Sequence, residues 1–168
     1  GEIADLAKHL GRWPDRIITN KRPDHIRTID PRIDTDKIMW TKNKTELYEY
    51  DWLLNEFKDP IITLHGWLRI IPESVCKRYS IFNGHPGLIT QYPELKGKDP
   101  QMKAFNLKHE VMGCVIHRVT AGVDEGKVLK EDFWNAWEIT EEEMWKVFKM
   151  RSCYLWIQFF KEIVGFTK

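Results

Sequence analysis

Short apolar runs without helical spacing alternate along this chain with segments whose apolar residues recur every three to four positions. We predict strands at 16–20, 37–40, 61–64, 79–82, 112–120 and 127–134. Helices are predicted at 3–10, 44–57 and 72–79, and a long one begins at Thr140, where Thr140 and Glu143 form a capping box. This alternation predicts an α/β protein of Rossmann-like type, with a mostly parallel twisted sheet and helices on both faces.

Composition limits the classes of function. The 168 residues predict a single domain, and the balance of 42% hydrophobic and 30% charged residues is that of a globular protein. The net charge of +1 gives no electrostatic reason to bind nucleic acid or a membrane surface. The three cysteines are widely spaced and form neither a disulfide framework nor a CxxC pattern, and we recognise no signal peptide or membrane span. We therefore expect a cytoplasmic protein.

Polar groups follow several of the predicted strands. Gly66 and Trp67 follow the strand at 61–64, Asn83 and His85 follow the strand at 79–82, and Asp124 lies in a turn after the strand at 112–120. Ligands of open parallel sheets bind beyond the carboxyl ends of the strands, so these groups are expected to converge. An Asn amide stabilises an oxyanion, a His moves a proton, and an Asp orients the imidazole. Together they suit acyl transfer to an amine without a covalent enzyme intermediate.

Each of these signals has a structural alternative. A single His after a strand is more often structural than catalytic, and the segment GVDEG (122–126) has the composition of a simple turn. A metal site is a further alternative, with Cys114 and His117 three residues apart. We reject it because that spacing sends the two side chains to opposite faces of a strand.

The order of the motifs over about 60–129 resembles the folate-dependent formyltransferase family, and most of all its glycinamide ribonucleotide branch. The segments that carry the resemblance are GWLRII (66–71), NGHPGL (83–88), YPEL (92–95) and VDEG (123–126). The resemblance implies that Asn83, His85 and Asp124 are catalytic and that 10-formyltetrahydrofolate is the co-substrate, with no metal. The residues it implies for binding the pterin are Leu68, Arg69, Ile70, Ile71, Ala121, Gly122 and Val123.

The resemblance also implies a small-molecule amine as acceptor, bound by Gly66, Trp67, Gly1 and Glu2. The family begins with a strand and a phosphate-binding loop, and we expect that strand to be absent or truncated here. Glycinamide ribonucleotide is the first candidate acceptor. An amino-sugar nucleotide, a modified nucleotide amine and a non-catalytic folate- or nucleotide-binding relative remain as alternatives. The expected assembly is a monomer or a homodimer.

Overall fold

The computed structural model describes residues 1–42 and 46–166. The chain divides into two compact units, Gly1–Pro60 and a second that begins at Ile61. The predicted α/β class is confirmed, because both units combine strands with helices. Over the described ranges, no helix is both long enough and apolar enough to cross a membrane.

The first unit contains helices α1 (Glu2–Leu10) and α2 (Leu47–Leu54) and strands β1 (Ile17–Thr19) and β2 (Ile38–Trp40). The two strands pair in parallel. Apolar residues of α1 recur at helical spacing, so the helix buries one face, on Ala4, Leu6 and Ala7. Helix α2 begins later than predicted, with a capping box made by Glu46 and Glu49. Lys44 and Thr45, where the sequence placed its start, lie outside the described residues.

The second unit is a four-stranded sheet in the order β3-β4-β5-β6. The strands are β3 (Ile61–Leu64), β4 (Ser80–His85), β5 (Val111–Arg118) and β6 (Val128–Asn135), and the helices are α3 (Glu73–Arg78), α4 (Pro100–Asn106) and α5 (Glu141–Gln158). Strands β3 and β4 are parallel, whereas β5 and β6 add antiparallel pairings. Helix α5 packs on β5 and β6 and continues as a π-helical turn, Phe159–Val164.

Strand β4 extends past the point where the sequence predicted its end. The run of apolar residues stops at Phe82, but β4 continues to His85 because β5 pairs with its last residues. Asn83 lies opposite His117, and His85 lies opposite Val115. The prediction that Asn83 and His85 follow the end of the strand is therefore wrong, and both residues belong to the sheet itself.

Candidate active site

Strand β4 presents Asn83 and His85 on the same face, because residues two apart on a strand point the same way. Gly84 lies between them and faces Trp156 of α5. A Cβ atom at Gly84 would lie 2.8 Å from the Trp156 indole nitrogen, closer than van der Waals contact allows. The absence of a side chain at Gly84 therefore lets a buried tryptophan support the strand directly beneath both polar residues.

His85 is 5% exposed, and both of its ring nitrogens face acceptors. Nε2 donates a hydrogen bond of 2.8 Å to the carbonyl oxygen of Leu95, and Nδ1 lies 3.3 Å from Oδ2 of Asp124. Burial lowers the pKa of the His85 imidazole below its ordinary value, and the Asp124 carboxylate offsets only part of that effect. Burial therefore favours the neutral imidazole. The Leu95 carbonyl requires a proton on Nε2, and the Asp124 carboxylate faces Nδ1, where it stabilises a second proton when the ring takes one up.

Asp124 lies in the loop between β5 and β6 and has a left-handed backbone, with φ of 52°. The loop is closed by a hydrogen bond of 2.9 Å from the Arg118 amide to the Lys127 carbonyl. Gly126 permits this closure, because a Cβ atom there would overlap the Arg118 carbonyl oxygen at 1.5 Å. The VDEG segment is therefore a turn whose glycine allows the tight geometry that brings Asp124 to His85.

Asp124 accepts hydrogen bonds from two further directions. The Gly97 amide donates to Oδ2 at 2.8 Å, and Nε2 of His117 lies 3.2 Å from Oδ1. Burial by itself would raise the pKa of Asp124, but the contacts with His117 and Gly97 and the nearby His85 ring outweigh it, so the pKa lies below its ordinary value. Asp124 is therefore a carboxylate at neutral pH, shared between two imidazoles.

His117 is the site residue that the sequence did not identify. It is 2% exposed, with Nδ1 3.0 Å from the Arg118 carbonyl oxygen and Nε2 3.4 Å from the Asn83 amide nitrogen. A β-bulge between Ile116 and His117 adjoins it, as bulges often do where a sheet directs a functional side chain. Only the antiparallel register of β4 and β5 places it beside Asn83, and the sequence alone had not indicated that register.

The four side chains form one continuous polar network, in the order His85, Asp124, His117, Asn83. The three predicted catalytic residues are thus brought together, with His117 connecting Asp124 to Asn83. Such a network has a hydrogen-bond donor for a developing negative charge at one end and proton acceptors along its length. Within the described ranges, no group of three or more His, Cys, Asp and Glu side chains has the arrangement of a metal site.

The residues predicted to bind the pterin lie on two loops that begin beside Asn83. Leu64, at the end of β3, is opposite Asn83, and the segment 66–71 follows it; the loop 119–127 follows β5 on the other side. Leu68 and Ile70 are 90% and 71% exposed, and Val123 is 51% exposed. Arg69 and Ala121 are also exposed, Gly122 is half-buried, and Ile71 is buried. The two loops therefore expose the aliphatic side chains of Leu68, Ile70 and Val123, whereas Ile71 belongs to the core.

The residues predicted to bind the acceptor are spread over both units. Gly66 has φ of 70° in the loop after β3, and the indole nitrogen of Trp67 is buried without a hydrogen-bond partner among the described residues. Gly1 caps α1 in the other unit, where the terminal amine pairs with Asp30, and Glu2 is the first helical residue. The network around Asp124 therefore includes none of these residues.

Comparison with known proteins identifies the group to which this arrangement is related. A family model described as "Formyl transferase" matches residues 13–148. The human trifunctional purine biosynthetic protein adenosine-3 is 30% identical over 94 residues, covering 54% of this chain and 9% of that protein. The phosphoribosylglycinamide formyltransferase of Dictyostelium discoideum is 35% identical over 82 residues, covering 41% of this chain and 37% of that protein. The chain thus spans well under half the length of these relatives.

The fold matches a solved structure over nearly the whole chain. The crystal structure of phosphoribosylglycinamide formyltransferase from Anaplasma phagocytophilum has a TM-score of 0.78, with 21% sequence identity. The match covers 96% of this chain and 80% of that one. At this level of identity the similarity establishes the fold.

Proposed function

The chain belongs to the formyl transferase family, and on that premise we propose that it transfers a formyl group from 10-formyltetrahydrofolate to a primary amine. The acceptor we propose is a small phosphorylated molecule, with glycinamide ribonucleotide first, since that is the acceptor named for the Dictyostelium and Anaplasma proteins. In this proposal residues 1–168 act as one catalytic domain, as a monomer or homodimer in the cytoplasm. Neither nucleic acid nor a membrane takes part.

The single observation that supports formyl transfer most strongly is the position of Asp124 between two buried imidazoles. Its two carboxylate oxygens face His85 at 3.3 Å and His117 at 3.2 Å. A protein that only bound a ligand would gain nothing from burying two titratable rings against one carboxylate, because burial of such groups is costly. A site that must take up a proton and pass it on does gain, because the carboxylate stabilises either ring when it becomes charged.

The proposed mechanism assigns a separate task to each residue. The co-substrate supplies the formyl carbon, which the acceptor amine attacks. The Asn83 amide donates to the formyl oxygen as negative charge develops on it. His85 takes the proton that the amine loses, on Nδ1, and Asp124 stabilises the resulting imidazolium. The same proton is then delivered to the departing folate nitrogen, so that no proton is gained or lost overall.

The residues of the two loops fit the proposed co-substrate. Leu68 and Ile70 place large aliphatic groups in solvent at the end of β3, an arrangement that costs free energy unless a ligand covers them. A flat heteroaromatic ring is the kind of group that such side chains cover, and backbone amides and carbonyls of the loop 119–127 are suited to its polar edge. Within this proposal these loops bind the pterin, and Gly66 and Trp67 contact the acceptor.

The first experiment measures release of the folate product by absorbance, using a 10-formyl-folate analogue and purified protein. Glycinamide ribonucleotide is tested first, followed by amino-sugar nucleotides and modified nucleotide amines. We expect turnover with one acceptor. In His85→Gln the turnover rate should fall by about 100-fold or more, because general acid–base catalysis contributes at least about that factor. His9→Ala, which changes an exposed histidine on α1, is the matched control and should keep full activity.

The outcomes separate the alternatives. Turnover with an amino-sugar nucleotide alone would change the acceptor and leave the chemistry intact. Binding of the folate analogue without turnover of any amine would favour the non-catalytic relative. Equal activity of His85→Gln and the unmodified protein would rule out the proposed mechanism.

A further inference from the structure

One short segment supplies a hydrogen-bond partner to both central residues of the network. We call Tyr92–Gly97 the clamp segment. The Leu95 carbonyl accepts from Nε2 of His85, and the Gly97 amide donates to Oδ2 of Asp124. The first contact favours a proton on Nε2 of His85, and the second helps keep Asp124 ionised. The position of the clamp segment therefore sets the protonation states on which the site depends.

The clamp segment lies outside the sheet and has to be held by other contacts. Its centre is a single 3₁₀ turn, Pro93–Leu95, closed by hydrogen bonds from the Leu95 amide to the Tyr92 carbonyl and from the Lys96 amide to the Pro93 carbonyl. The Leu95 side chain is 1% exposed and anchors the middle of the turn in the core. A short 3₁₀ turn is weak by itself, so its ends need further support.

His109 supplies that support at the start of the clamp segment. Its ring stacks on Tyr92 with a centroid distance of 4.0 Å and an interplanar angle of 27°. Its Nε2 lies 3.6 Å from a carboxylate oxygen of Glu94, and its backbone amide donates to the Ala104 carbonyl in α4 at 3.0 Å. His109 thus connects Tyr92 and Glu94 of the clamp segment to the end of helix α4.

We infer that His109 is a positioning residue for the acid–base pair: by stacking on Tyr92 it holds the clamp segment, and through it the proton-bearing nitrogen of His85. This inference rests on the proposed function for its kinetic consequence. Its structural consequence, the tautomer of His85, can be measured without any substrate.

The contact that matters in this inference is the aromatic stack. Nδ1 of His109 is buried without a hydrogen-bond partner among the described residues, so the ring gains nothing from its polar atom there. Its Nε2 lies 3.6 Å from the exposed Glu94 carboxylate, beyond hydrogen-bond distance, so this contact adds little. A phenyl ring of similar size should therefore hold Tyr92 nearly as well as the imidazole does. The side chains that act electrostatically on His85 are those of Asp124, His117 and Lys103, and His109 is not among them. Replacing the His109 side chain leaves its backbone bond to α4 in place, so its effect on His85 passes through the clamp segment.

The experiment compares His109→Ala with His109→Phe. Nitrogen-15 NMR of the histidine rings reports the His85 tautomer and its titration midpoint, with the His85 signal assigned by its loss in His85→Gln. Formyl transfer is measured on the same samples, and kcat and KM are separated. Phe148→Leu is the matched control, because Phe148 packs on Trp134 and its replacement lowers stability without touching the clamp segment.

In His109→Ala we expect the Nε2–H tautomer of His85 to lose its dominance. The titration midpoint of His85 should rise, because the loosened clamp segment admits water to a ring that is buried in the unmodified protein. We expect kcat to fall on the order of 10-fold, with KM changed by less than about 2-fold, as for a small misplacement of a catalytic group. His109→Phe should restore both readouts.

The results that overturn the inference are equally definite. An unchanged His85 tautomer and kcat in His109→Ala would exclude a positioning role. The same spectral change in Phe148→Leu would show a general loss of stability instead. If the unmodified protein transfers no formyl group but His109→Ala still changes the tautomer, the proposed function fails and the positioning role stands.

Discussion

Replacing Gly84 by alanine should disturb the site through the packing beneath it. The new Cβ atom would lie 2.8 Å from the Trp156 indole nitrogen and 3.1 Å from two of its ring carbons. Trp156 is 1% exposed, and neighbouring rings restrict it, with centroids of His65 and Phe159 at 4.7 Å and 5.4 Å. Neither the indole nor the central strand β4 can move away freely, so the substitution overpacks the core.

Overpacking of this kind costs about 1–3 kcal/mol. For a protein of this size a loss of about 2 kcal/mol corresponds to a fall in Tm of about 4–8 °C. Because the displaced residue lies between Asn83 and His85, formyl transfer should also fall on the order of 10-fold. Urea denaturation followed by circular dichroism gives the free energy of unfolding, and the folate-release assay gives the rate.

The double variant Gly84→Ala with Trp156→Phe tests the cause. A phenyl ring lacks the part of the indole that meets the new methyl group, so the double variant should be more stable than the sum of the single changes predicts, by about 1 kcal/mol or more. Free energies that add within about 0.5 kcal/mol would refute the steric explanation. So would a Gly84→Ala protein with unchanged Tm.

Further predictions concern the network and its loop. Asp124→Asn should lower kcat on the order of 100-fold, because it removes the charge that stabilises the His85 imidazolium; a change confined to folate binding would place Asp124 in the co-substrate site instead. Gly126→Ala should lower the free energy of unfolding by at least about 2 kcal/mol, since its Cβ meets the Arg118 carbonyl. The control Gly122→Ala, which meets only the side chain of Glu125, should cost less, and equal losses would contradict the close-contact argument. Stability should fall with acidification, because the pKa values of His85 and Asp124 are lowered in the fold and the unfolded chain takes up those protons first. The His85 contribution is lost below about pH 6.5 and that of Asp124 below about pH 3.9, so His85→Gln should flatten the stability profile between about pH 7 and pH 5. An identical slope in both proteins would show that His85 does not cause it.

Local patterns predicted most of the elements but not their pairing. The helical spacing before Gly11 and the Thr140 capping box correctly marked α1 and the start of α5. The family resemblance is confirmed by the match over residues 13–148. Helix α4, by contrast, was not predicted from its short mixed sequence, and the antiparallel pairing of β5 was not apparent from strands that alternate with helices.

The candidate site divides in the same way. Asn83, His85 and Asp124 were found because their residue types and their order along the chain carry chemical information. His117 was missed because its role depends on lying opposite Asn83, which is a property of the strand register. The Leu95 carbonyl and the Gly97 amide are backbone groups, which every residue except proline provides, so residue type could not have identified them.

The pairing of β4 with β5 also has a consequence for the order of events in folding. Asn83 and His117 are 34 residues apart, and closing a loop of that length costs about 3 kcal/mol of chain entropy. The polar cluster therefore cannot form ahead of the sheet, and during synthesis His85 stays hydrated until the chain beyond Asp124 has emerged. A ribosome-bound chain that ends before Asp124 should show an ordinary histidine titration at His85, so this ring reports when the sheet has closed.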